Sequence, residues 1–261
     1  MYVPSEVEEI VSETGNIKAN ISNIKTFVMS IFAGMFVALG AFGSQITLVL
    51  TGGNRFAAAF VFPTGLFIIT VTGIEVFTGN NLLVVSFLDK KITFKEMIKN
   101  WILVYFGNFM GCVATAYMVV YSTSFSLFSD RFADAVVRTA NNKVTISVPD
   151  AVIQGILCNM LVCTAVWIAY SAKDVPGKAI GIYMPTMLFV LCGFEHCVAN
   201  MYYIPAAILT IEEYAITNVT ITVWDFIFRN IIPVTVGNLI GGAYIVGFGY
   251  AYLHRDRFIE M

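Results

Sequence analysis

The sequence predicts an all-α integral membrane protein with six transmembrane helices, built as two inverted three-helix repeats whose second and fifth helices are broken. Three observations predict it. First, the 261 residues are 58% hydrophobic and only 12% charged. Their uncharged runs exceed the ~20 residues a helix needs to cross a bilayer and lack the polar stripe of soluble helices. Second, two of these runs are far longer than one span requires, and each holds a carboxylate beside Gly or Asn near its middle. Third, "GNFMG" (107–111) and "GNLIG" (237–241) recur at a spacing of 130 residues, half the chain.

At the N-terminus, "MYVPSEVEEIVSETGNIKAN" is acidic and polar where a cleavable signal is basic and then apolar, so the first span serves as its own insertion signal. Ser5 and Glu8 have capping-box spacing, and Val7, Ile10 and Val11 share one face. Residues 1–24 therefore read as a short amphipathic helix ahead of the membrane. The charge-poor runs follow at 26–54, 56–88, 101–129, 151–172, 179–210 and 230–253. They define a six-helix domain over 25–254, with repeats at about 25–129 and 148–254 and a short tail at 255–261.

Six spans put both termini on one side. With the termini inside, ten of the fifteen Lys and Arg residues fall on the inner face, among them Lys18, Lys90, Lys91, Lys95, Lys99, Lys173 and Lys178. The outer face holds Arg55, Arg131, Arg138, Lys143 and Arg229. The positive-inside rule then makes both termini cytoplasmic, and the expected location is the plasma (cell inner) membrane.

The net charge of −2, with no basic cluster, excludes nucleic acid as a partner. All five cysteines lie in apolar runs without a CxxC pair and are expected as small buried hydrophobes. The two histidines are poorly placed for a bis-His haem. No metal or cofactor is expected.

The long runs 56–88 and 179–210 are interrupted by "GIEVFTGNN" (73–81) and "CGFEHCVAN" (192–200). Irregular backbone at membrane depth is tolerated only where it is buried in protein or lines a watery cavity, so these breaks are candidate pathway linings. A long tilted helix with a satisfied polar residue is the alternative for either run alone. The repeat decides between them by laying one broken helix over the other, as in transporters and channels. Gly107, Gly111, Gly237, Gly241 and Gly242 would let helices approach closely and pack the halves about their common axis.

Helix breaks present unpaired N–H groups and favour a nearby anion. Thr78 adds a hydroxyl at the first break. His196 adds, at the second, a side chain able to exchange protons near neutral pH. Glu75 and Glu195 would repel an anion, so each is expected to clamp the backbone amides of the neighbouring loop, with a functional carboxylate as the alternative. Phe62, Leu66, Val76, Phe77, Leu188, Phe189 and Phe194 supply bulk that would strip water from a passing ion.

"VFTGNN" (76–81), "LCNMLVC" (157–163), "GFEHCVANMYYIP" (193–205) and "PVTVGNLIGG" (233–242) resemble the formate/nitrite transporter family over essentially the whole chain. The resemblance implies an aquaporin-like protomer, a homopentamer in the lipid bilayer, and one pore per subunit for small monovalent weak-acid anions: formate, nitrite, hydrosulfide or lactate. It places Thr78 and His196 at the central selectivity position. Lys143, by itself an ordinary loop charge, falls at an anion-attracting vestibule. Phe62, Leu66 and Phe189 match constriction residues, Val76 stands where leucine is common, and Asn159 and Asn200 match polar residues near the pore. The resemblance also links the N-terminal helix to gating. Formate is the first choice of substrate.

A channel and a proton-coupled symporter both fit. A neutral-solute pore predicts an Asn-Pro-Ala motif at each break, and neither has one. An enzyme is not expected, because HExxH and GxGD motifs are absent and no catalytic set is in sequence reach of His196.

Overall fold

The structure, a computed structural model, describes residues 1–126 and 130–254. The expected tail at 255–261 and the end of the third run, 127–129, lie outside the described residues. Ten main helices follow in order: α1 (Pro4–Ala19), α2 (Asn23–Leu50), α3 (Arg55–Thr72), α4 (Phe77–Leu88), α5 (Phe94–Val120), α6 (Asp130–Thr145), α7 (Val148–Ser171), α8 (Val175–Cys192), α9 (Cys197–Glu213) and α10 (Asp225–His254). Helices α2, α3, α5, α7, α8 and α10 are long and apolar enough to cross a membrane. The shorter α4 and α9 complete the two broken helices. The chain is a multi-pass membrane protein.

Helix α1 begins at Pro4, whose fixed φ and missing N–H suit the first helical position. This start makes Glu6 the third helical residue, and its carboxylate accepts from the Val3 N–H at 2.9 Å. The expected Ser5–Glu8 capping box is therefore not formed. The apolar face is as read, but it docks on protein: Val7 and Val11 bury against Leu82, Val85, Trp167 and Val246. Ser12 donates to Asp89 at 2.5 Å, Ser86 donates to the Ser12 carbonyl at 2.7 Å, and Lys91 reaches Glu9 and Glu13 at 2.8 and 2.7 Å.

Helix α5 starts seven residues before its charge-poor run, because Thr93 and Glu96 form a reciprocal capping box that recruits the charged stretch "FKEMIKN". Helix α6 falls where only a connection was expected. Its residues Phe132, Val136, Ala140 and Val144 recur at helical spacing and are buried in the main core. Helix α10 starts at Asp225, five residues before its predicted run, and has π-type hydrogen bonding over Asp225–Ile231 and Ile240–Phe248.

The two GNxxG motifs pack within each half, which corrects the expectation for Gly107, Gly111, Gly237 and Gly241; Gly242 alone of the five also meets the other half, at Asn81. A Cβ on Gly111 would collide with the Ile31 carbonyl of α2, and one on Gly241 with the Ile156 carbonyl of α7. Each motif thus presses the third span of its half onto the first. The broken helices α3 and α8 join the halves: Thr64 and Tyr183 share a hydrogen bond at 2.8 Å, and the Phe62 and Phe189 rings meet edge to face at 5.6 Å.

Candidate functional site

Both breaks are built alike. Helix α3 ends at Gly73 (φ 69°) and α8 at Gly193 (φ 75°), in the left-handed region that glycine enters without steric cost. The next N–H turns back, from Ile74 to the Ile69 carbonyl at 3.2 Å and from Phe194 to the Phe189 carbonyl at 3.0 Å. Three non-helical residues follow, with Glu75 or Glu195 in the middle, before α4 or α9 begins.

The asparagine of each GNxxG motif holds its break. Asn108 accepts from the Phe77 N–H at 2.9 Å and donates to the carbonyls of Ser30 (2.8 Å) and Glu75 (3.0 Å). Asn238 accepts from the Cys197 N–H at 2.9 Å and donates to the carbonyls of Gly155 (2.8 Å) and Glu195 (3.0 Å). The backbone is thus clamped by these amides and not by the carboxylates, contrary to expectation. An amide supplies donor and acceptor together, and the breaks expose both kinds of group.

The carboxylates hold side chains instead. Glu75 accepts from Asn80 at 2.5 Å and pairs with Lys18 at 3.3 Å, while Asn80 also donates to Asn100 at 2.9 Å and accepts from Lys18 at 2.8 Å. Glu195 accepts from Asn200 at 2.6 Å and pairs with Lys143 at 2.9 Å, while Asn200 donates to Asn230 at 2.7 Å. Each half-site is therefore a Glu–Asn–Asn–Lys set. Lys143 sits on α6 and not in a loop, near the end of a 16-residue helix that precedes the first span of its half. Lys18 has the same place on α1, also 16 residues long. Burial lowers the Lys18 pKa, but the Glu75 charge, Tyr170 and the Glu75 hydrogen bond outweigh it, and the ammonium is held above its ordinary value. Sequence reasoning missed Lys18, Asn100, Asn108, Asn230 and Asn238. Only the repeated "GN" carried a signal, and it was read for its glycines.

Between the half-sites, Thr78 Oγ1 lies 2.9 Å from His196 Nε2, with both residues buried. His196 Nδ1 accepts from the Ala199 N–H at 3.0 Å, capping α9. A backbone N–H can only donate, so Nδ1 carries no proton and the neutral ring presents Nε2–H to Thr78. The Phe189 ring stacks on the imidazole at 5.7 Å. Leu66, Val76 and Phe77 are buried in the same cluster. Leu188 is exposed and corrects the reading, since its neighbour Phe189 takes the inward face of α8.

A cavity of about 360 Å³ runs to His196 and is lined among others by Phe62, Phe189, Phe194, Lys143, Glu195 and Asn200. Thr78, Leu66, Val76, Phe77, Glu75 and Asn159 do not line it. Asn159 braces the centre by donating to Asn81 at 2.8 Å and to the Asn238 carbonyl at 2.7 Å. Four cysteines are buried as expected, whereas Cys192, at the end of α8, is exposed.

The family model described as "Formate/nitrite transporter" matches residues 5–252. The chain is 35% identical to the formate channel FocA of Haemophilus influenzae, over 97% of this chain and 95% of that one. It is 34% identical to the formate channel FocA of Escherichia coli (strain K12), over 96% and 93% respectively. A solved structure described as a pentameric formate channel with formate bound superposes with a TM-score of 0.77 at 28% identity, covering 89% of this chain and 97% of the other.

Proposed function

The chain belongs to the formate/nitrite transporter family, whose members are transporters and not enzymes, and from that premise we propose that it passes small monovalent weak-acid anions through a pore in each protomer. Formate is the first substrate, as the named relatives support, with nitrite and hydrosulfide next. The protein works as a homopentamer, in keeping with its pentameric structural relative. It lies in the cell's inner membrane with both termini cytoplasmic, which makes the Lys143 mouth the outer one.

The observation that carries this reading is the buried Thr78–His196 contact between two half-sites that each present a lysine. Lys143 draws the anion into the vestibule. Phe62 and Phe189 strip its water, a step that is costly for a bare ion. At the centre the anion replaces Thr78 as acceptor of the His196 Nε2–H. Full proton transfer requires Nδ1 to be protonated first, which displaces the Ala199 cap, so protonation is transient. The neutral acid then passes towards the second half-site and gives up its proton, back to His196 Nε2 in a channel or to the water of that mouth in symport. Lys18 receives the anion, and loss of the Nδ1 proton restores the Ala199 cap.

A proton-coupled symporter of the same anions, lactate included, uses the same histidine. The Phe62 and Phe189 rings, in edge-to-face contact beside the cavity, favour that reading, because an apolar constriction costs a bare ion more than a neutral acid. Bilayer currents without a proton gradient support the channel, whereas electroneutral uptake that tracks the pH gradient supports symport.

The test is flux in proteoliposomes for formate, nitrite, hydrosulfide, lactate and chloride, repeated with His196→Asn. Formate is expected to pass and chloride to be excluded, and the variant is expected to lose its rate and pH dependence. If rate, pH dependence and anion preference are all unchanged in the variant, His196 is not the proton donor.

A further inference from the structure

The Lys143 vestibule holds more cationic character than Lys143 supplies, since that ammonium is already paired with Glu195. Arg55 and Arg138 line the same cavity, so three cations face one carboxylate. Neither guanidinium makes an ion pair or hydrogen bond among the described residues. Arg55 reaches across the second break: a Cβ built on Gly193 would lie 3.6 Å from its Nη2. The two arginines also line a wider cavity of about 780 Å³ alongside, together with Arg131 and Asp134.

Gln45 supplies the second, independent observation. It lines the vestibule from α2, is 5% exposed, and neither its Nε2 nor its Oε1 has a partner among the described residues. A buried amide with neither group bonded is rare in folded proteins and calls for an occupant. Two guanidinium forks and a carboxamide are flat donor sets. They match an anion that presents two coplanar oxygens and takes two parallel, near-linear hydrogen bonds per fork, whereas a single-atom acceptor meets both N–H groups of a fork only with bent ones.

We propose that Gln45, Arg55 and Arg138 form a docking station for planar two-oxygen monoanions, carboxylate or nitrite, and that this station separates them from hydrosulfide and chloride before they reach Thr78 and His196. The proposal rests on the anion-transport reading above and deepens it by assigning the substrate class.

The test compares half-saturating concentrations for formate and hydrosulfide in proteoliposome flux. The samples are the intact chain, the double variant Arg55→Lys with Arg138→Lys, and Gln45→Leu. Saturation-transfer NMR of formate on the detergent-solubilised full chain reads binding without permeation. Lysine keeps the charge and lacks the fork, so formate half-saturation is expected to rise roughly tenfold in the lysine variant while hydrosulfide stays within about twofold. Formate affinity by NMR is expected to fall in parallel, and Gln45→Leu to shift formate in the same direction. Equal shifts for the two anions, or none for formate, would overturn the station and leave charge attraction alone. If the intact chain passes neither anion, the transport reading fails instead, and the NMR comparison still decides whether the forks bind formate.

Discussion

At the scale of single residues, Asn108 and Asn238 carry the breaks. Each satisfies two backbone groups that a helix interruption leaves open inside the protein and ties them to a carbonyl of the first span of its half. Asn108→Ala is expected to orphan the Phe77 N–H and the Glu75 carbonyl and to lower stability by about 1–3 kcal/mol. Asn238→Ala should do the same at the other break. Thermal unfolding in detergent measures both, and melting points equal to wild type would show that water satisfies these groups as well. The residues legible in sequence were the ones with a signature. A carboxylate or histidine in an apolar run is conspicuous at once, so Glu75, Glu195 and His196 were found. A neutral amide such as Asn100 or Asn230 lies 20 to 87 residues from its partners, and nothing local marks it.

At the scale of elements, α1 and α6 depart most from what hydropathy reveals. A search for uncharged runs cannot detect α6, whose buried stripe alternates with Arg131, Asp134, Arg138 and Lys143. The docking of α1 is equally hidden, because its apolar face fits a membrane surface as well as a protein one. The attachment has a definite pH dependence. The Lys91 hydrogen bond and charge hold Glu13 below its ordinary value of 4.5. Burial lowers the Lys91 pKa, but its bonds to Glu13 and Glu9 outweigh that and raise it above 10.5. A carboxylate lowered on docking stabilises the docked state fully above 4.5, and the stabilisation is lost as pH falls through the lowered value. A lysine raised on docking stabilises below 10.5 and loses that effect as pH rises through the raised value. Helix α1 should therefore be held most firmly between these limits. Protection of the α1 amides, their exchange relative to an unfolded chain at the same pH, is expected to fall below about pH 4.5, and Lys91→Met to remove that acid limb. An exchange profile with the same acid limb in the variant would rule the pair out as its cause.

At the scale of the whole molecule, the repeat runs further than its three spans. The GNxxG spacing exposed the halves, but the counterpart of α1 is α6, and each brings one lysine to one mouth near its end. The sequence conceals this correspondence, since "NIKAN" around Lys18 and "NNKVT" around Lys143 share little beyond an asparagine and the lysine. The two lysines differ in their support. Lys143 rides on a helix buried in the main core, whereas Lys18 rides on one held by a smaller cluster and surface ion pairs. Lys143→Met should weaken anion capture from the α6 side, raising half-saturation there roughly fivefold or more through lost attraction. Lys18→Met should do the same from the α1 side. For a passive pathway, microscopic reversibility keeps the ratio of maximal rate to half-saturation equal in the two directions. Each variant must therefore shift the ratio between its two half-saturations, and the two variants must shift it in opposite senses. Oriented proteoliposomes loaded with isotopically labelled formate measure both directions. Shifts in the same sense for both variants would mean that the lysines are not mirror counterparts at opposite mouths of one pore.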